Sequence, residues 1–241
     1  HARGRRAGAG HHAGGADRTP APRPAGGWPS ARTRVIAPLK ISEFQSLTDV
    51  SRETLARLTA YERLLRRWQR AINLVGPSTL ADPWRRHFLD SAQLLDLIPP
   101  DGPPGLLDLG SGAGFPGLVL AILGLTDVHL VESDARKCAF LREAARTTDT
   151  SVTIHTTRIA DLPAQSFGIV TARALATLDE LLGLATPFVA PGGRLLIHKG
   201  RSVDRELTVA RKRWTLPMTR VASRADPKGV ILVIEDPRHD R

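Results

Sequence analysis

Apolar residues recur at intervals of three and four between Leu55 and Ile72. Leu55, Leu58, Tyr61, Leu65, Trp68 and Ile72 fall on one face, with Arg63, Arg66, Arg67 and Arg70 between them. This period predicts an amphipathic helix over 51–73. Gly76-Pro77-Ser78 interrupts it, and a second helical stretch over about 83–97 stops at Pro99-Pro100. Residues 99–105 read as a Pro/Gly-rich linker.

From Gly105 the pattern changes to short apolar runs alternating with helical ones. Strands are expected at 106–109, 128–131, 152–154, 167–170 and 194–197. Helices are expected at 116–123, with proline in first position, and at 135–146, 178–189 and about 203–214. Pro191-Gly192-Gly193 reads as the turn before the last of those strands. Residues 219–221 and 230–234 flank Asp226-Pro227-Lys228-Gly229 as a hairpin. The expected fold class is α/β: an open sheet, mostly parallel with one antiparallel strand near its edge, preceded by N-terminal helices.

Composition sharpens the domain picture. The 241 residues are 41% hydrophobic, enough for one sizeable core. No apolar run of about 18 residues is present, so no membrane span is expected. The Arg-rich start lacks the apolar stretch of a secretory signal. With Cys138 as the single cysteine, neither a disulfide framework nor a cysteine-rich metal site is available, and a cytoplasmic protein is expected. The formal net charge is +10. Residues 1–40 hold eight basic and one acidic residue in a Gly/Ala/Pro/Arg-rich context, and are expected to be a disordered basic extension. A helical segment over 41–100 and a sheet domain over 101–241 complete the expected organisation. Two further stretches, 57–86 and 194–224, are locally basic, as an RNA-binding face would be; a solvated helix surface explains either one equally well.

The candidate chemistry centres on strand 106–109 and the loop Gly110-Ser111-Gly112-Ala113-Gly114-Phe115-Pro116-Gly117. Glycines here permit a sharp turn and let a ligand approach the backbone. Glu132 closes the next strand, where a carboxylate can accept bonds from ribose hydroxyls. Gly112, Gly114 and Gly117 also satisfy the spacing of dinucleotide sites. Asp108, two positions before the first glycine, favours a ligand with an ammonium group over a pyrophosphate. S-adenosylmethionine is therefore the expected cofactor. The alternatives are an NAD(P)-dependent oxidoreductase and a catalytically silent RNA-binding protein. No metal site is expected.

Several segments together resemble one family. They are Trp68-Gln-Arg-Ala-Ile-Asn73-Leu74, Arg86-His87-Phe88-Leu89-Asp90-Ser91, Asp108 to Gly117, Thr171-Ala-Arg173-Ala174 and Lys199-Gly200. Over roughly 45–236 they are similar to the bacterial small-subunit ribosomal RNA methyltransferase G family, also called glucose-inhibited division protein B. The resemblance implies a class I methyltransferase fold and methylation of guanine N7 in 16S ribosomal RNA, met as free RNA or within the small subunit. The loop departs mildly in reading Gly110-Ser-Gly112 where the family commonly has Gly-Thr-Gly. Glu132 stands where the family often has Asp.

N7 chemistry needs alignment but no general base. Cys138 lies too early to serve as a pyrimidine nucleophile, and Thr171-Ala-Arg173-Ala174 replaces the Asn/Asp-Pro-Pro-aromatic segment of exocyclic-amine enzymes. The resemblance further implies donor contacts from Phe115, Ile159, Ala160 and Arg173. Arg173, at a strand end, could pair a carboxylate or guanine O6, and is the candidate positioning residue. Arg86, His87, Asp90 and Ser91 are assigned to the substrate side, and Lys199 to a phosphate contact. Trp84 is a candidate for stacking bases, while Trp68 and Trp214 are expected in the core. A monomer is the default expectation.

Overall fold

The computed structural model describes residues 37–240. Nearly all of the basic extension expected over 1–40 therefore lies outside the described residues. Helices α1 (Ile41–Thr48) and α2 (Arg52–Gln69) come first. Ser51 starts α2 by accepting the Thr54 N–H at 3.0 Å. The helix stops four residues earlier than its periodicity suggests. The Gln69 side chain takes the Leu74 and Val75 N–H groups, both at 3.0 Å, and turns the chain.

The stretch expected as one helix over 83–97 is wound three ways. A wide π turn spans Trp84–Leu89, a single α turn, α3, spans Asp90–Ala92, and a tight 3-10 segment spans Gln93–Leu97. Wide turns of this kind are rare and concentrate at functional sites.

Alternation then begins: β1 (Leu106–Leu109), α4 (Gly117–Ile122), β2 (Val128–Glu132), α5 (Ala135–Thr147), β3 (Thr153–Thr156), β4 (Phe167–Arg173), α6 (Leu178–Ala185), β5 (Val189–Lys199) and α7 (Val203–Ala210). Short β6 (Trp214–Thr215), then β7 (Met218–Ala222), β8 (Val230–Glu235) and short β9 (Arg238–His239) complete the chain. Helix α6 ends before the expected 189 because Pro187 has no N–H to donate, and the chain tightens into a 3-10 turn over Thr186–Phe188. Helix α7 ends before the expected 214, and Trp214 pairs in a small β6–β9 ladder.

The large sheet has the order β3-β2-β1-β4-β5-β8-β7. All neighbours are parallel except β8, which runs antiparallel to both β5 and β7, one place from the edge as expected. Pro191-Gly192-Gly193 lies inside β5 as an irregularity in its pairing with β4, not as a turn before it. The 99–105 segment is more than a linker. Gly168 donates to the Pro104 carbonyl at 2.8 Å, and a Cβ at Gly168 would stand 1.7 Å from the Pro103 carbonyl oxygen.

Strand alternation sorts the core onto two faces. Leu106, Leu130 and Ile169 pack under α2, α4 and α5 with Leu58, Tyr61, Phe88, Leu118 and Phe140. Leu107, Leu109 and Val170 pack against α6 and α7 with Leu181, Leu182, Val203 and Leu207. The helices of the 41–100 segment thus share a core with the sheet. Trp84 belongs to that core, stacked on Phe88 with ring centres 4.7 Å apart, so it is no free base platform. Trp214 is buried too, its indole N–H bonded to Asp179 at 3.0 Å.

Candidate functional site

The chain runs outward from β1 through β2 to β3, then returns to place β4 on the other side of β1. This reversal leaves a crevice above the carboxyl ends of the strands, where open α/β sheets bind ligands. A cleft of about 1190 Å³ lies there, lined by Gly110, Gly112, Glu132, Arg173, His198 and neighbours. It exceeds the ~300–1,000 Å³ common for drug-sized ligands.

On one side the cleft is mostly backbone. Gly112 adopts φ +57°, and the nearest atom to a Cβ there would be the Gly110 oxygen at 3.8 Å, so its open face can receive a ligand. Its N–H donates to Glu132 Oε2 at 3.0 Å, and the Asp134 N–H donates to Oε1 at 2.8 Å. These two bonds hold the Glu132 carboxylate at the rim and leave further lone pairs for hydroxyl donors. Ile159 and Ala160 line the adjoining wall with Lys137 and Arg158.

Three expected residues lie off the cleft. Asp108 is buried beneath the loop and does not face an ammonium site. Its carboxylate accepts the Thr171 hydroxyl at 2.8 Å and the Gly117 N–H at 3.2 Å. Burial pushes its pKa up to about 6, against the lowering effect of those bonds. Gly114 also faces inward, where a Cβ would stand 2.7 Å from Tyr61 Oη. The dinucleotide-like spacing therefore reflects packing at its later glycines. Ser91 is buried and donates to the His87 carbonyl at 2.7 Å.

The opposite side is a side-chain network. Arg173, at the end of β4, donates through Nη1 to the Arg86 carbonyl at 3.1 Å and to His87 Nδ1 at 3.2 Å, and lies 3.5 Å from Asp90 Oδ2. Its guanidinium sits 5.2 Å from the centre of the Phe115 ring, which stacks in turn on His87. Because His87 Nδ1 accepts from Arg173, its Nε2 carries the proton and donates to Thr79 Oγ1 at 2.8 Å. Burial, then the Arg173 and Arg86 charges, lower the His87 pKa to about 3. His87 is a neutral, doubly bonded support.

Asp90 joins four elements. It accepts Gln93 Nε2 at 2.9 Å and the Ser223 hydroxyl at 3.3 Å, and its carbonyl accepts His198 Nε2 from β5 at 2.9 Å. Lys199 reaches the cleft, but Glu206 at 2.7 Å and the Ala176 carbonyl at 2.9 Å hold its ammonium, so it is not a spare phosphate contact. Arg86 pairs with Asp226 at 2.7 Å. Thr171, Gln93, His198, Glu206, Ser223 and Asp226 escaped sequence reasoning. Their contacts are set by the fold, and apart from Thr171, which opens the Thr171-Ala-Arg173-Ala174 segment, none stands in a segment that carries the family resemblance.

Two solved structures share this architecture. A TehB-like S-adenosylmethionine-dependent methyltransferase from Corynebacterium glutamicum aligns with TM-score 0.51 at 17% identity, over 74% of this chain and 98% of that one. The glycopeptide N-methyltransferase MtfA, complexed with S-adenosylmethionine, aligns with TM-score 0.50 at 16% identity, over 61% and 93%. The fold is that of the class I S-adenosylmethionine-dependent methyltransferases.

Sequence then narrows the class. The chain belongs to the rRNA small subunit methyltransferase G family, matching it over residues 54–226. Relatives of that name from Rhodospirillum rubrum and Rhodospirillum centenum are 58% and 54% identical over 191 and 207 residues. Those alignments cover 79% and 86% of this chain, and 94% and 95% of the relatives.

Proposed function

We propose that this protein methylates guanine N7 in 16S small-subunit ribosomal RNA, using S-adenosylmethionine, and works as a monomer in the cytoplasm. The observation that carries the reading is that the acid–base side chains around Arg173 are engaged with protein partners. His87 and Asp90 are bonded as described, Glu206 is held by Lys199, and Asp226 by Arg86. Cys138 is buried on α5, its thiol donating to the Glu132 carbonyl at 3.2 Å. Cysteine is absent from the cleft lining among the described residues, and His198, whose Nδ1 makes no hydrogen bond, is buried with its Nε2 on the Asp90 carbonyl. Guanine N7 has an in-plane lone pair and no proton to lose, so it is an acceptor that such a cleft can serve by alignment.

The residues fit the donor. Gly112 offers backbone with open space before it, and Glu132 keeps lone pairs for two ribose hydroxyls. Phe115, Ile159 and Ala160 provide the remaining wall. When bound, the sulfonium supplies an electrophilic methyl carbon. Arg173 orients the reactants from a guanidinium fixed by His87, Asp90 and the Phe115 ring. The monomer reading rests on how few large apolar side chains are exposed among the described residues, Ile41, Leu47, Leu175 and Val209, and the cytoplasmic one on where the substrate resides. No helix among the described residues is long and apolar enough to cross a membrane.

Mass mapping of 16S RNA nucleotides from cells with and without the protein tests the assignment. One guanine-N7 mark should disappear with the protein; an unchanged pattern overturns the substrate.

A further inference from the structure

Three ion pairs stand at the cleft, and they differ in exposure. Lys199–Glu206 side chains are 8% and 16% exposed, and Arg173–Asp90 20% and 15%. Arg86–Asp226 is the open one, at 40% and 35%. Arg86 bonds Asp226 through Nη1 alone; its Nε and Nη2 make no hydrogen bond among the described residues. The partner carboxylate comes from the β7–β8 turn, 140 positions away. That turn is held independently: Gly229 N–H donates to the Asp226 carbonyl at 2.8 Å, and Lys228 N–H to Asp226 Oδ1 at 2.9 Å. Arg201, an exposed cation, is near enough to join Arg86 in lowering the Asp226 pKa.

An exposed pair of this kind contributes only about 0–1 kcal/mol, so another anion can displace it cheaply. A guanidinium with two idle donors is shaped for bidentate contact with phosphate. We infer that Arg86 is a docking point for an RNA phosphodiester at the cleft mouth, and that Asp226 competes with RNA for that point. This rests on the RNA substrate proposed above. The carboxylate there is a built-in stand-in for the substrate's backbone charge, and it sets how readily RNA gains the cleft.

The test is Asp226→Asn in the full chain, which keeps the Oδ1 acceptor for Lys228 N–H and removes the charge. Binding of 16S RNA is measured between 50 and 200 mM salt, beside the KM for S-adenosylmethionine and methyl transfer by the unaltered protein. Asp226→Asn should tighten RNA binding about two- to fivefold with the donor KM unchanged. Arg86→Ala should flatten the salt dependence by roughly one unit of log–log slope and cancel the gain when combined with Asp226→Asn. Unchanged or weaker RNA binding by a folded Asp226→Asn overturns the inference. So does a gain that survives Arg86→Ala, or one appearing in the donor KM instead, which would place the donor's own carboxylate at Arg86. If the unaltered protein transfers no methyl group to RNA, the proposed function fails, independently of these binding results.

Discussion

The two sides of the cleft are built from different materials. The side facing Glu132 is made of main chain: a glycine loop, two N–H groups on one carboxylate, and a short wall at Ile159–Ala160. The side facing Arg173 is made of charged and polar side chains from the π turn, α3, β4, β5 and the β7–β8 turn, meeting around Asp90. Backbone sites are rigid because the sheet fixes them. The side-chain site is rigid only while its network is complete. Damage should therefore spread differently on the two sides.

The largest expected contrast is in acid. Folded His87 refuses a proton until about pH 3, whereas the unfolded chain accepts one near 6.5, so the unfolded state binds more protons between those values. Stability contributed by neutral His87 is full above about 6.5 and is lost as pH falls toward 3, by several kcal/mol in order of magnitude. Asp108 opposes this. Its raised pKa gives a contribution that is full below about 3.8 and fades as pH rises through about 6. Denaturant titrations from pH 7 to 4, with histidine resonances followed by NMR, should show net acid loss that His87→Gln diminishes. A His87 that titrates near 6.5 in the folded protein would erase the distinction between the two sides.

Next in size, Arg173→Ala should reduce methyl transfer roughly 100-fold or more, as misplacement of reactants does, while circular dichroism stays unchanged. Turnover within threefold of the unaltered rate would make Arg173 a bystander. Glu132→Gln should weaken donor binding about 10- to 100-fold in calorimetry, the value of hydrogen bonds to a charged acceptor, with RNA binding intact. Equal losses for donor and RNA would mean that the two sides are one unit. The smallest effect is expected beneath the loop. Thr171→Val removes one donor from buried Asp108 and should cost about 1 kcal/mol in thermal or urea unfolding. An unchanged Tm would show that Asp108 does not need Thr171.

The pattern of apolar residues was enough to place the sheet, the lone antiparallel strand and the glycine loop, because strand and helix periods are local consequences of backbone geometry. Glu132 and Arg173 were legible for the same reason: each ends a strand that the sequence announces. Helix ends were less legible at Gln69 and Pro187, where a side-chain cap and a missing donor decide the stop. Only the tertiary structure decided that Asp108 points under the loop and not into the cleft, that Glu206 engages Lys199, and that His87 is neutral. Periodicity assigns a residue to a face of its element. Which charges meet across that face depends on chain segments as far apart as Arg86 and Asp226, and on how completely packing removes water between them.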